Sequence, residues 1–440
     1  MTRDLVVLAL ANAALVAAGH GVLRLLGIRP AFGDLAWSLA LAYLAGAAAF
    51  GVLGSASLVL GLELSRWQIL ALCGALAALG LVRRDGLAEP ERVPLDGWLR
   101  LFPAAVLAVL AVLAVDLVVQ PLWSDDAWAI WAGKAESVVV LDGLDPGYLA
   151  GASVLNASYP LVVPVLELFA YRFCGLPNEL VPLQLGFLFL AFPFALVGLL
   201  RDRVRPGTLW TVALALVLAP TLQIQTATAV ADVPLAVFFA LAGVAGWRWV
   251  EEGDRRQLWL GGLFAAAAVG CKVEGRVFVA FLAVAVTVAA ARHGRSLREL
   301  GLVAAAVAAS ALPWVLWTRM HEIGDVFSAA GGLSPGGLGR IPSAAASMVR
   351  ELADPSSWLA LVALAAAATV LALTRPAGRE AGLYTLFVAG ASLAAMVGVY
   401  WVTPLDFDYH VATSVRRVIT APVVFAAAMT PLLLSRQTAR

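Results

Sequence analysis

Charge is what this chain has least of. Asp, Glu, Lys and Arg make up 13% of its 440 residues, roughly half the share a water-soluble domain carries. Lysine is nearly absent: of 30 basic residues, only Lys134 and Lys272 are lysines. A net charge of +1 provides no basic field for a nucleic-acid partner. The cysteines Cys73, Cys174 and Cys271 are far apart, which excludes a disulfide framework, a CxxC redox pair and zinc-ligand spacing. They read as small apolar packing residues. Glycine-rich phosphate loops, zinc motifs, a GxSxG turn and a Ser-His-Asp pattern are all missing, so neither ATP nor a nicotinamide cofactor is implied.

What is abundant is apolar sequence, 62% of the chain. It is arranged in repeated runs of about twenty residues, the length that crosses a bilayer as a helix. The fold class is therefore an all-α polytopic membrane bundle. The length rule places about thirteen membrane helices, near 5–26, 35–61, 67–83, 100–120, 180–200, 208–223, 231–250, 257–271, 274–291, 299–317, 355–374, 381–402 and 414–434. The first lacks a small-residue cleavage site and reads as a retained helix. Arginine collects in the connections 83–100, 201–207, 248–256, 292–298 and 375–379 and in the tail 436–440. Alternation puts all of these on one side, which the positive-inside rule makes cytoplasmic. Residues 1–99 form an N-terminal group of helices, whose orientation flips if one of its first three segments does not span. Residues 100–434 form a membrane module with two long extracytoplasmic segments, 121–179 and 318–354. Within the first, amphipathic helices are expected. Segment 160–175 is short for a span and is expected to lie on the outer membrane surface, with proline in its first turn and Gly175-Leu176-Pro177 ending it.

The candidate chemistry gathers on that outer side. Asp125 and Asp126 directly follow a hydrophobic run and precede Trp128 and Trp131. Adjacent carboxylates repel, which suits one of them to act as a general base; the same position also suits a helix N-cap. Lys134 and Lys272 lie against the orientation bias. Each reads either as a phosphate ligand or as an ion-pair partner, Lys134 of Glu136 or an aspartate and Lys272 of Glu274. Lys272-Val273-Glu274-Gly275-Arg276 packs charge into a corner with almost no loop, which is costly unless paired or used. Asp232 either caps its helix or positions a substrate hydroxyl. His410, Arg416 and Arg417 form a candidate phosphate clamp just before the last helix; snorkelling arginines are the alternative. Asp125, Asp126 and Asp232 are acids that could hold a divalent metal.

In these residues the chain resembles the GT-C superfamily of integral-membrane glycosyltransferases, in particular bacterial relatives of protein O-mannosyltransferases and of the lipid A aminoarabinose transferase. The resemblance rests on Asp126-Ala127 followed by Trp131 and Lys134-Ala135, on Tyr159-Pro160-Leu161, on Ala231-Asp232-Val233-Pro234-Leu235, on Cys271-Lys272-Val273-Glu274-Gly275, and on Thr413-Ser414 with Arg417. It covers residues 100–425 in order. The loop reads Asp-Asp where the mannosyltransferase branch commonly has Asp-Glu, and Arg416 stands where relatives often carry an acid. The resemblance implies a polyprenyl-phosphate-linked sugar as donor and a lipid, glycan or protein hydroxyl as acceptor. It also implies inverting transfer at the outer face of the cytoplasmic membrane. Asp126 would then be the base with Asp125 its neighbour. Lys134, Lys272, His410 and Arg417 would hold the leaving phosphate, and Tyr159, Asp232, Glu274 and Arg416 would belong to the same site. A lipid or solute transporter or flippase, or a structural subunit, would use the same charges differently.

Overall fold

A computed structural model describes residues 2–29, 34–83, 97–151, 156–175, 178–324 and 335–435. Most of the 83–100 connection, Leu176 and Pro177, residues 325–334 of the second long segment and the tail 436–440 lie outside the described residues. Every regular element among the described residues is helical. Helices stand at all the positions expected from the apolar runs. By length and composition, 9 are able to cross a membrane, or 10 if the bent pair Pro206–Leu218 and Pro220–Ala227 is one span. The expected thirteen are not reached on this measure, because Arg66–Val82, Leu361–Leu373 and Arg255–Cys271 are shorter.

The axis of the bundle is Asp232–Glu252, buried along nearly its whole length. Arg255–Cys271, Val273–Arg292, Val181–Leu200 and Thr420–Ser435 pack around it. Leu101–Val119 and Leu297–Met320 are apolar but largely exposed, as helices that face lipid are. Small residues set the closest approaches. Gly19 and Gly46 face each other between Thr2–Leu25 and Ala42–Val59, where a Cβ on Gly19 would lie 1.6 Å from the Ala42 carbonyl oxygen.

The helices alternate as expected, so the two ends of the bundle differ. At one end Arg24 bonds the Arg83 carbonyl, Arg256 the Gly27 carbonyl, and Arg248 pairs with Asp202 and Glu252. The other end carries Asp126, Asp232, Lys272, Glu274 and Arg417 and is called the site end below. The Cys174 thiol donates to the Asp4 carbonyl, and Arg172 to that of Glu63. These contacts bring residues 4 and 63 to the site end, so the first three helices alternate as well.

Helix Val162–Cys174 differs from expectation. It does not lie on a surface. Its residues from Val162 to Tyr171 are all buried, packed against Thr2–Leu25, Ala42–Val59, Gly133–Val140 and Val181–Leu200. Val162 meets Gly51, and Val165 meets Gly54 three residues on, so it runs alongside Ala42–Val59. The physical reason is composition: Glu167 is the only charged residue before Arg172, so the helix has no polar face to give to water and is not amphipathic.

Candidate functional site

The site begins where Leu101–Val119 stops. Residues 121–124 are irregular, and a helix restarts at Asp125. Its first stretch, Ala127–Ala132, is a π-helix, a wide turn that recurs at functional positions. The Gly133 N–H closes it on the Trp128 carbonyl. A Cβ at Gly133 would stand 2.7 Å from that oxygen, so glycine is what permits the wide turn here. Trp128 Nε1 anchors the segment by donating to the Leu122 carbonyl at 2.7 Å. The buried Trp131 packs on Tyr159, ring centroids 5.5 Å apart. Consecutive helical positions point about 100° apart, and this separates the two aspartates: Asp125 is exposed, while Asp126 turns inward. Asp126 makes no side-chain cap bond, so the capping role considered for it is not the one it has.

Asp126 meets the Arg417 guanidinium through Nη1. Arg417 Nε donates to Asp232 Oδ2 at 3.1 Å. Asp232 Oδ1 receives Lys272 Nζ at 2.9 Å, and Lys272 Nζ reaches Glu274 Oε1 at 3.0 Å. Residues that are 291 and 185 positions apart in sequence thus share one arginine. The chain of contacts holds three acids and two cations. The local sequence explains the geometry: Lys272 is extended, ending one helix and starting the next. A Cβ on Gly275 would fall 2.2 Å from the Ala268 carbonyl oxygen, so the corner closes only with glycine there.

Exposure grades the network. The Asp232 and Lys272 side chains are 3% and 6% accessible, against 22% for Arg417 and 34% for Asp126. The innermost pair is therefore sealed and the outermost is reachable. Burial alone would lower the Lys272 pKa; the carboxylates of Asp232 and Glu274 reverse this and hold it above its ordinary value. The Tyr159 hydroxyl is pushed up by burial first, then by Glu274. Lys272, Asp232 and Arg417 also act on it electrostatically. The crevice lined by Asp232, Lys272, Glu274 and Arg417 has no room for a water molecule.

Other expected site residues have different partners. Lys134 Nζ is buried and donates to the carbonyls of Asn156 at 2.9 Å and Tyr159 at 3.0 Å. It tethers the turn that presents Tyr159 and is not placed to meet a phosphate. Lys272 is the ion-pair partner of Glu274 and too deep for a ligand. The proposed clamp is split. Arg416 turns away to Glu351, with Nε to Oε1 at 2.8 Å, and His410 is buried with its ring on Tyr400, centroids 4.9 Å apart. Of the three, Arg417 makes the direct ion pairs with Asp126 and Asp232, while Lys272 and Glu274 act on His410 electrostatically. Asp126 and Asp232 fit a metal poorly in this arrangement, since Arg417 and Lys272 occupy Asp126 Oδ2 and both oxygens of Asp232 and repel a cation; Asp125 is exposed and turned away from them.

Two contributors were not foreseen. Glu351 sits on the amphipathic helix Arg340–Ala353, which covers Phe407–Val418. Gln225 Nε2 donates to Thr420 Oγ1 at 2.9 Å and to the Arg416 carbonyl at 3.4 Å, holding the junction that carries Arg417. The polar run Thr221, Gln223, Gln225, Thr226, Thr228 inside an apolar segment is the signal that could have found it.

Beside the network, at the end of Leu101–Val119, a lateral groove of about 640 Å³ opens toward Pro206–Leu218 and Pro220–Ala227. Trp123, three residues before Asp126, lines it. No family model, curated protein or solved structure matches the chain.

Proposed function

We propose that this protein is a membrane glycosyltransferase of GT-C type. It moves a sugar from a polyprenyl-phosphate donor to an acceptor hydroxyl, with inversion, at the extracytoplasmic face of the cytoplasmic membrane. The observation that carries the reading is Arg417 held between the half-exposed Asp126 and the buried Asp232. Arg417 is the one partly accessible cation in the network, and its planar fork matches phosphate oxygens. A donor phosphate arriving there competes with Asp126 for the guanidinium. Asp126 is then released to take the proton of an acceptor hydroxyl, so donor binding and base activation are one event. The acceptor oxygen forms its bond to the anomeric carbon. The bond from that carbon to the phosphate oxygen breaks, and the electron pair stays on the phosphate beside Arg417. Asp232, Lys272 and Glu274 hold Arg417 in place and set the local charge, and Lys134 holds Tyr159 at the edge. Preorganised charge of this kind is the usual main source of rate.

One observation favours a second reading, a structural subunit: the charges pair off and the crevice among them is closed. Transport has less support, because these charges lie at one end of the bundle and not at mid-membrane. The deciding experiment is transfer in proteoliposomes from a polyprenyl-phosphate-linked sugar. Asp126→Asn should lower turnover by about a hundredfold or more while thermal stability changes little. Turnover equal to the parent's would remove Asp126 from the mechanism.

A further inference from the structure

The lateral groove has an unusual polar floor for a surface that faces lipid. Asp116 lies on a helix exposed along most of its length, and an acid there is costly unless it is used. Gln120 Nε2 donates to Asp116 Oδ1 at 2.6 Å, and Gln223 Nε2 donates to the Val217 carbonyl at 2.7 Å. With the amide nitrogens turned to protein oxygens, the floor presents oxygen acceptors. Val112, Leu113 and Ile224 supply apolar walls, and none of the lining residues is cationic.

We infer that this groove binds an uncharged, hydroxyl-rich amphiphile, and that it is the access route of the acceptor, separate from the phosphate position at Arg417. Charge decides the class. A fixed carboxylate at the boundary between hydrocarbon and water repels a phosphate headgroup, so the phosphate-bearing donor is disfavoured here. Several separated oxygen acceptors suit the several hydroxyls of a polyol better than the single point charge of an amine. Position supports the role, since Trp123 lines the groove and stands three residues before Asp126 in the chain. The role as acceptor route rests on the proposed glycosyl transfer; the headgroup preference does not.

The test is quenching of tryptophan emission by lipids with brominated chains in reconstituted membranes. The Trp123 signal is isolated by subtracting Trp123→Phe, and Ile224→Trp in that background reports from the opposite wall. The probes are a monoglucosyl diacylglycerol, a phosphatidic acid and a diacyl tertiary amine with the same brominated chains. The glucolipid should quench at a mole fraction about fivefold lower than phosphatidic acid does, the equivalent of one hydrogen bond. Asp116→Lys should invert that order at both reporters. Equal quenching by all three lipids, or strongest quenching by phosphatidic acid or by the amine, overturns the proposal. Transfer measured on the same preparations separates the two ideas. Preference without transfer removes the enzyme reading and with it the acceptor role, leaving the headgroup preference; transfer without preference removes the groove proposal alone.

Discussion

The two ends of the bundle use charge in opposite ways. At the arginine-rich end, guanidinium groups finish helices. Arg248 bonds the Leu199 carbonyl, Arg295 those of Val250 and Glu251, and Arg256 that of Gly27. Carbonyls in the last turn of a helix lack the next turn's N–H, and a cation there also matches the helix dipole. At the site end, the principal contacts run from side chain to side chain, between helices far apart in sequence, and Arg417 stands in the last turn of Phe407–Val418, just before Thr420–Ser435. Arginine at the first end completes backbone carbonyls as well as pairing with acids, Arg248 with Asp202 and Glu252 and Arg201 with Asp34. At the second, Arg417 is held by the two carboxylates of Asp126 and Asp232, which could exchange it for a ligand. Charge alone therefore does not mark a site, and neither does an arginine–carboxylate pair; the difference is that the Arg417 pair belongs to a connected network of three acids and two cations.

Removing Asp232 should break this contrast most. It leaves the buried Lys272 with only Glu274 and the partly buried Arg417 with only Asp126, and loss of one partner in a buried pair typically costs about 3–5 kcal/mol. Asp232→Ala should show this in denaturation in micelles, together with loss of transfer; a stable variant would mean that water reaches the pair. At the other end, Arg248→Ala removes a carbonyl contact and two acid partners, and about 2 kcal/mol is expected from lost charged hydrogen bonds. Transfer at a permissive temperature should be unchanged. A selective loss of turnover would erase the distinction between the ends.

Glu167 sharpens the comparison, being a buried acid whose two oxygens have no hydrogen-bond partner among the described residues. Burial holds its pKa well above the ordinary 4.5, so the folded protein keeps a proton that the unfolded chain gives up. Stability should then fall as pH rises from about 4.5 toward the folded value, by at most about 1.4 kcal/mol per pH unit. Glu167→Gln should flatten that slope; denaturation midpoints across pH for both proteins are the check, and identical slopes would show that Glu167 is not protonated. Smaller still is the Arg416–Glu351 pair. Arg416 is 46% accessible, and an exposed pair contributes less than about 1 kcal/mol, so Glu351→Gln should barely move the melting temperature. Asp125→Asn should leave both stability and transfer near the parent values, because Asp125 is exposed and Asp126 carries the contact.

Much of the site was legible from residue types and sidedness. Asp126, Asp232, Lys272, Glu274 and Arg417 all stand out as charges beside apolar runs, and the distribution of arginine orders the helices before any contact is known. The roles of individual neighbours were not legible. Asp125 against Asp126, and Arg416 against Arg417, are adjacent in sequence, and their separation depends on which way each helix is turned in the bundle, which residue type does not encode. Lys134 carries the same charge as Lys272 yet meets carbonyls, because the turn at 156–159 folds onto it. The 160–175 segment is too short to span, a length that fits a surface helix and a buried one alike.

By itself the sequence determined that this chain is helical with the apolar runs of a membrane protein, which way its helices alternate, and that Asp126, Asp232, Lys272, Glu274 and Arg417 lie on the side away from the arginine-rich connections. Those follow from the cost of placing peptide groups and charges in hydrocarbon, which every residue meets locally. The tertiary structure alone decided which charges touch, which are sealed, and that Val162–Cys174 is core. These outcomes depend on helices from distant parts of the chain meeting at a few ångströms, and no local pattern encodes that distance.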